Sequence, residues 1–274
     1  MKKLVKCLVS AAFLCTLTAC GGNGESDEKT IKIGASVTPH AEIIEFIKPK
    51  LEAKGYTVEI QKYSDYNMPN EALKDGQLDV NYFQHKPYLE NWCKEHDDAP
   101  LVSILAVHYE PMGIYSLKHS SLEDISNNAV IAIPNDATNE ARALRLLENN
   151  GIIKLREGVG LHAKKTDIIE NPYSVEIIEL ASEMAAKACG EKDFCITNGN
   201  NALNANLKDA ILTSEDPQKD PLIKDFTSEY ANILAVQKGH ENDQKSKDLI
   251  EVLTSEDVKA FMKEKYGDIV VPVF

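Results

Sequence analysis

The sequence predicts an α/β protein built as two lobes around a cleft. Three observations carry this expectation. Apolar residues at period 2 alternate along the body with apolar residues at period 3.6, the strand–helix–strand order of an α/β fold with mostly parallel sheets. That alternation runs once and starts again near Ser120. The chain has 274 residues, 43% hydrophobic and 27% charged, which suits a globular protein of one large or two ordinary domains.

In chain order, residues 30–35 alternate and form a first strand. Residues 36–40 are a polar turn, with Thr38 as a cap and Pro39 at the first helical position. Ile44, Ile47 and Leu51 follow at helical spacing; Pro49 predicts a kink or break, and Gly55 ends the helix. Residues 56–60 are a second strand, 65–70 a loop, 71–74 a short helix and 78–83 a third strand. A helix over 87–95 carries the only tryptophan, Trp92, and 101–108 is an apolar strand. In the second unit 128–133 is a strand, and Thr138 or Asn139 caps a helix whose stripe is Ala143, Leu144, Leu146 and Leu147. Gly151 sits at the C-cap of that helix. Strands over 175–180, 194–197 and 232–236 and helices over 245–253 and 255–265 complete the chain.

The N-terminus has its own logic. Lys2, Lys3 and Lys6 precede a short apolar run, residues 8–17, followed by Leu17-Thr18-Ala19-Cys20-Gly21. A run this short is a signal-peptide core rather than a membrane span, and small residues before a cysteine look like a bacterial lipobox. Residues 1–19 are therefore expected to be a signal peptide, and Cys20 the lipidated residue that anchors the protein to a cell-envelope membrane, on its periplasmic or extracytoplasmic face. Residues 20–29 would be a flexible polar tether. Loss of the three lysines takes the net charge from −13 to −16, which argues against nucleic acid as a partner. Of the remaining cysteines, Cys189 and Cys195 are spaced to close a small loop.

Three stretches concentrate polar and aromatic groups. Asn81–Leu89 (NYFQHKPYL) reads as a strand end running into a helix start, with rings aimed either into a cleft or into the core. Arg142 falls in the first turn of a helix, where backbone N–H groups already favour an anion. It either grips a carboxylate or pairs with a local acid such as Asp136 or Glu140. Asn198-Gly199-Asn200-Asn201 follows a strand directly, as a ligand-binding amide cluster or as a plain turn. No GxSxG, HExxH or Cys–His pattern supports an enzyme. A metal site would need His40, His85, His108 and His162 to converge from far apart in the sequence.

Thr38-Pro39-His40-Ala41-Glu42, Pro69-Asn70-Glu71-Ala72-Leu73, Phe83-Gln84-His85-Lys86-Pro87-Tyr88-Leu89, Pro134-Asn135-Asp136-x-Thr138-Asn139 and Glu170-Asn171-Pro172 together resemble the NlpA/MetQ family, the substrate-binding lipoproteins of methionine ABC importers. The motifs fall in order over the whole mature chain. The resemblance implies a two-lobed periplasmic-binding-protein-like fold of type II, with residues 30–115 plus 236–274 as one lobe and 116–235 as the other. It implies no enzyme activity and no cofactor or metal. Its partners would be methionine, an ABC permease with its ATPase, and the bilayer. By the same resemblance Tyr66, Phe83, His85 and Tyr88 would surround the thioether, Arg142 would hold the carboxylate, and Asn171, Asn198 or Asn200, and Asn232 would fix the polar ends. Asn201 stands where the family usually has an aromatic residue, which leaves D-methionine or a methionine dipeptide as alternative solutes.

Overall fold

The computed structural model describes residues 29–97, 99–216, 219–220, 225 and 229–274. The expected signal peptide, Cys20 and nearly all of the tether lie outside the described residues. β1 (Thr30–Ser36) and β2 (Thr57–Tyr63) run parallel, joined through α1 (Glu42–Ala53). α2 (Met68–Lys74) leads to β3 (Val80–His85), also parallel to β1. α3 (Lys86–Glu95) and β4 (Leu101–Tyr109) follow, and the chain then leaves this sheet. The second half holds β5 (Gly113–Tyr115), β6 (Val130–Pro134), α4 (Ala137–Asn149), and the pair β7 (Lys154–Leu155) and β8 (Ile168–Glu170). It continues with β9 (Glu176–Leu180), α5 (Ser182–Lys187), β10 (Phe194–Thr197), α6 (Gly199–Asn204) and β11 (Ile211–Ser214). β12 (Ala231–Gln237) returns to the first sheet, followed by α7 (Gln244–Leu253), α8 (Glu256–Tyr266) and β13 (Val271–Pro272).

The strand orders are β13-β4-β12-β3-β1-β2 and β11-β5-β10-β6-β9. Both sheets are mixed rather than mostly parallel. β12 lies antiparallel between β3 and β4, and β5 is antiparallel to β10 and β11. These strands arrive from the other lobe, so no helical crossover forces them parallel. The chain crosses between the sheets after Tyr109 and after Ser214. Boundaries at 115/116 and 235/236 are therefore displaced, because Tyr115 pairs with Cys195 in the second sheet and Ala231 with Tyr109 in the first.

α1 buries Ile43, Ile44, Ile47 and Leu51 in the core of the first lobe, each contributing about 1.5–3 kcal/mol. The helix runs unbroken through Pro49. Pro49 and Glu45 both lie on the exposed face, where water can take the Glu45 carbonyl that has lost its donor. The helix starts at Glu42 rather than at Pro39, which follows a cis peptide bond. In the second lobe α4 packs Ala143, Leu144, Leu146 and Leu147 against β6, β9 and β10. Its cap is Asp136 rather than Thr138 or Asn139: Asp136 Oδ1 accepts from Asn139 N at 3.0 Å. Cys189 and Cys195 are joined by a disulfide between α5 and β10. No helix among the described residues is long and apolar enough to cross a membrane.

Candidate functional site

The C-terminal end of β3 builds one side of a cavity between the lobes. β3 pairs Gln84 with Ile233 and Tyr82 with Leu234, so Phe83 is an extra, bulged residue. Such a bulge re-aims side chains: Tyr82 joins the core under α1, and Phe83 joins a separate aromatic cluster. In that cluster Tyr66 lies 5.9 Å from Phe83 and 5.8 Å from Tyr88, ring centre to ring centre. His85 caps α3: its Nδ1 accepts from Tyr88 N at 3.2 Å. The proton of the neutral ring therefore sits on Nε2, which donates across the cleft to Asn139 Oδ1 at 3.1 Å. Burial, and then the charge of Arg142, lower the His85 pKa to about 3, so the ring is neutral.

The opposite side is polar. Asn139 Nδ2 donates to Asp136, and Asn198 Nδ2 donates to Asn139 Oδ1 at 2.9 Å. Asn198 Oδ1 is buried with no hydrogen-bond partner among the described residues. Asn200 Oδ1 accepts from Tyr66 OH at 2.7 Å, and Asn201 Nδ2 donates to the same hydroxyl at 3.0 Å. Asn200 and Asn201 thus tether Tyr66 from the second lobe. The segment after β10, read either as an amide cluster or as a plain turn, is the start of α6. Its Asn200 N–H donates to Glu110 Oε2 at 2.7 Å. Gly199 permits this approach, since a Cβ there would lie 3.2 Å from Glu110 Cβ and 3.1 Å from Ile269 Cγ2.

Gln84, Glu110 and Asn139 line the cavity without having been among the expected site residues, and Glu110 is the charged one of the three. It sits just past β4, where the chain crosses between the sheets, and is 2% exposed. Burial raises its pKa, while His40, the Asn200 N–H and Arg142 work the other way. His40 and His108, far apart in sequence, meet beside it with ring centres 5.0 Å apart. These three residues are the group among the described residues whose ligand atoms lie close enough to surround a cation. However, His108 Nε2 is 2.8 Å from Glu110 Oε1, and His40 Nε2 is 3.1 Å from Asn232 Oδ1. Both nitrogens face acceptors and so carry protons, which makes this a hydrogen-bonded cluster rather than a set of converging lone pairs.

Tyr66, Phe83, His85 and Tyr88 line the cavity together with Glu110, Asn139, Asn198, Asn200 and Asn232. Gln84 also lines it, locked to Asn70 and Asn81 by amide hydrogen bonds. Space for the centre of a water molecule is only about 10 Å³, too little for a solute the size of an amino acid with the lobes as they stand. Tyr88 separates this cavity from an open basin of about 730 Å³ at the cleft mouth.

Two expected residues stand elsewhere. Asn171 closes its own turn: Nδ2 donates to Val175 O at 3.0 Å, and Oδ1 accepts from Val175 N at 2.9 Å. Both its polar groups are spent locally, away from the cavity. Arg142 does not line the cavity and pairs with neither Asp136 nor Glu140. Its Nε and Nη2 make a bidentate pair with Glu215 at 2.7 and 2.6 Å, and Nη2 also donates to Glu110 O at 3.1 Å. The guanidinium lies 4.1 Å over the Tyr230 ring. Burial works against its charge, but Glu215 outweighs that and holds the Arg142 pKa above its usual value. Arg142 therefore ties α4 to both chain crossings.

The NlpA lipoprotein family profile matches residues 31–274. The sequence is 42% identical over 278 aligned positions to the methionine-binding lipoprotein MetQ of Bacillus subtilis, spanning 100% of this chain and 99% of that protein. It is 33% identical over 244 positions to the D-methionine-binding lipoprotein MetQ of Salmonella typhimurium, spanning 88% and 87% of the two chains. A solved structure of a nutrient binding protein from Burkholderia cenocepacia bound to methionine superposes with a TM-score of 0.82 at 35% identity, covering 89% of this chain and 100% of that one.

Proposed function

The chain belongs to the NlpA lipoprotein family, and from that premise we propose that it is the substrate-binding component of an ABC importer that captures methionine between its lobes. The observation that carries this reading is the enclosed cavity, with three aromatic rings at one end and a buried carboxylate among amides at the other. A thioether packs well against ring edges, and an unbranched side chain suits a narrow slot between Tyr66, Phe83 and Tyr88. The ligand ammonium meets Glu110 and the unpartnered Asn198 Oδ1. Its carboxylate meets the Asn200 and Asn232 amides. A zwitterion taken out of water needs such partners at both ends.

The lobes, joined at the two crossings, close on the ligand and hand it to a membrane permease driven by an ATPase. Acylated Cys20 holds the protein to the bilayer. The site performs no chemistry: His85, its most prominent candidate base, has one nitrogen committed to a helix cap and the other to Asn139. A second reading keeps the fold and changes the solute to D-methionine or a methionine-containing dipeptide. It is favoured by Tyr88, which borders both the cavity and the outer basin that would take a longer ligand. The test is mass spectrometry of the small molecule released on denaturing purified protein, followed by calorimetric titration of L-methionine, D-methionine and methionine dipeptides. Release of L-methionine and its tightest binding are expected. No released solute and no heat with any of the three would overturn the reading.

A further inference from the structure

Two imidazoles stand behind the Glu110 carboxylate without reaching the cavity. His40 comes from the turn before α1 and His108 from β4, and both are fully buried. Their Nε2 atoms lie 3.7 and 2.8 Å from the same oxygen, Glu110 Oε1. The neutral Tyr82 phenol donates a hydrogen bond to His108 Nδ1, which leaves the His108 proton on Nε2, facing Glu110 Oε1. His40 Nε2 donates to Asn232 Oδ1 at 3.1 Å and lies 3.7 Å from Glu110 Oε1. With the Asn200 N–H on Oε2, two donors reach the carboxylate, and the His40 ring lies against it.

None of these donors cancels its charge. Burial lowers His40 to about 4 and His108 to about 3, so both are neutral near pH 7. The phenols of Tyr66, Tyr82, Tyr115 and Tyr266, which all sense Glu110, are pushed above their ordinary range and are neutral too. Arg142, the cation nearby, bonds the Glu110 carbonyl and gives its fork to Glu215. The shell therefore satisfies the carboxylate's lone pairs while leaving its negative charge exposed to whatever enters the cavity.

We propose that His40 and His108 are positioning residues that set ligand specificity: with His108 donating to Glu110 Oε1 and His40 held beside it by Asn232, they keep the carboxylate an ionised, oriented anion, so the cleft demands a ligand with a free ammonium group. This deepens the methionine reading and rests on it. Without the donors, burial favours the neutral acid. A neutral acid no longer distinguishes an ammonium-bearing ligand from the same molecule without it, while contacts to the side chain persist.

The test compares L-methionine with 4-(methylsulfanyl)butanoate, which keeps the thioether and carboxylate and lacks the amine. Both are titrated calorimetrically from pH 5 to 8 into the wild type, H40L, H108L, H108Q and E110Q. The wild type is expected to prefer methionine by about 100-fold or more. In H40L and H108L this ratio falls at least about tenfold, and the pH below which methionine binding is lost moves upward, because Glu110 now protonates at higher pH. H108Q, which retains an N–H donor, regains part of the ratio lost in H108L, and E110Q removes the discrimination. Equal losses for both ligands with an unmoved pH dependence would overturn the proposal, leaving the histidines a packing role. If the leucine variants do not fold, a wild-type ratio in E110Q overturns it alone. A wild type that binds neither ligand would overturn the methionine reading together with this inference. A wild type that binds methionine while every variant keeps its ratio would overturn only the inference.

Discussion

Glu110 and Glu215 are carboxylates with buried side chains at the two points where the chain crosses between sheets, and both touch Arg142. Their charges are handled in opposite ways. Glu215 meets the guanidinium fork directly, accepts further bonds from Tyr109 OH and Met112 N, and forms a neutral unit. Glu110 offers Arg142 only its carbonyl and meets uncharged donors at its carboxylate. A buried charge that is cancelled in place holds structure together and asks nothing of a ligand. One that is hydrogen-bonded and left uncancelled asks for a cation.

The sharpest way to break this contrast is E215A. Removing one partner of a buried pair strands the other, so a loss of about 3–5 kcal/mol in unfolding free energy is expected in urea titrations. Replacing both residues by apolar ones, R142M/E215L, should cost less than E215A alone, and E110Q should cost less as well. An E110Q loss as large as that of E215A would erase the distinction.

Acid probes the same contrast through the histidines. In the unfolded chain His40, His85 and His108 take up protons below about 6.5, whereas in the folded chain they do so only near 3 to 4. The unfolded state thus binds more protons between these limits, and stability falls as pH drops from 6.5 toward 4, by up to about 1.4 kcal/mol per pH unit for each histidine. Glu110, with its raised pKa, works against this at the acid end. Denaturant midpoints measured from pH 7 to 4.5 check the slope, and a flat profile would refute neutral burial of these rings. The smallest effect is expected at Asn171. N171A should cost about 1 kcal/mol or less and leave methionine affinity unchanged, because its two bonds both close a local turn.

The aromatic side of the cavity was legible because Phe83, His85 and Tyr88 are neighbours in sequence, and a strand running into a helix brings their tips together. Asn198 and Asn200 were legible as amides at a strand end. Glu110 was not, since a lone acid after an apolar strand looks solvated. Its significance comes from His40, seventy residues earlier, and from α6, ninety later. The Arg142 alternatives named acids on its own helix turn, while its partner lies 73 residues away on the returning chain. Pro49 shows a local rule overridden by context, because its helix position faces water. Strand direction was lost for a similar reason: β5 and β12 owe their antiparallel pairing to the crossings, which no periodicity records.

Glu110 lies at the point where the chain passes from one half of the protein to the other, which is where a pair of opening jaws moves least. The rings of Tyr66, Phe83 and Tyr88 and the Asn139 amide of α4 line the cavity beyond the Glu110 cluster. Capture should then be ordered: the ammonium lands first on an anion that is already in place, and the jaws bring the rest. Release should run in reverse. Prying the jaws apart strips away rings and amides and admits water, leaving the ligand held by a single ionic contact that water screens. On the function proposed above, such a fulcrum would let the protein hold its cargo tightly when shut and surrender it when forced open, without any change to the contact made first.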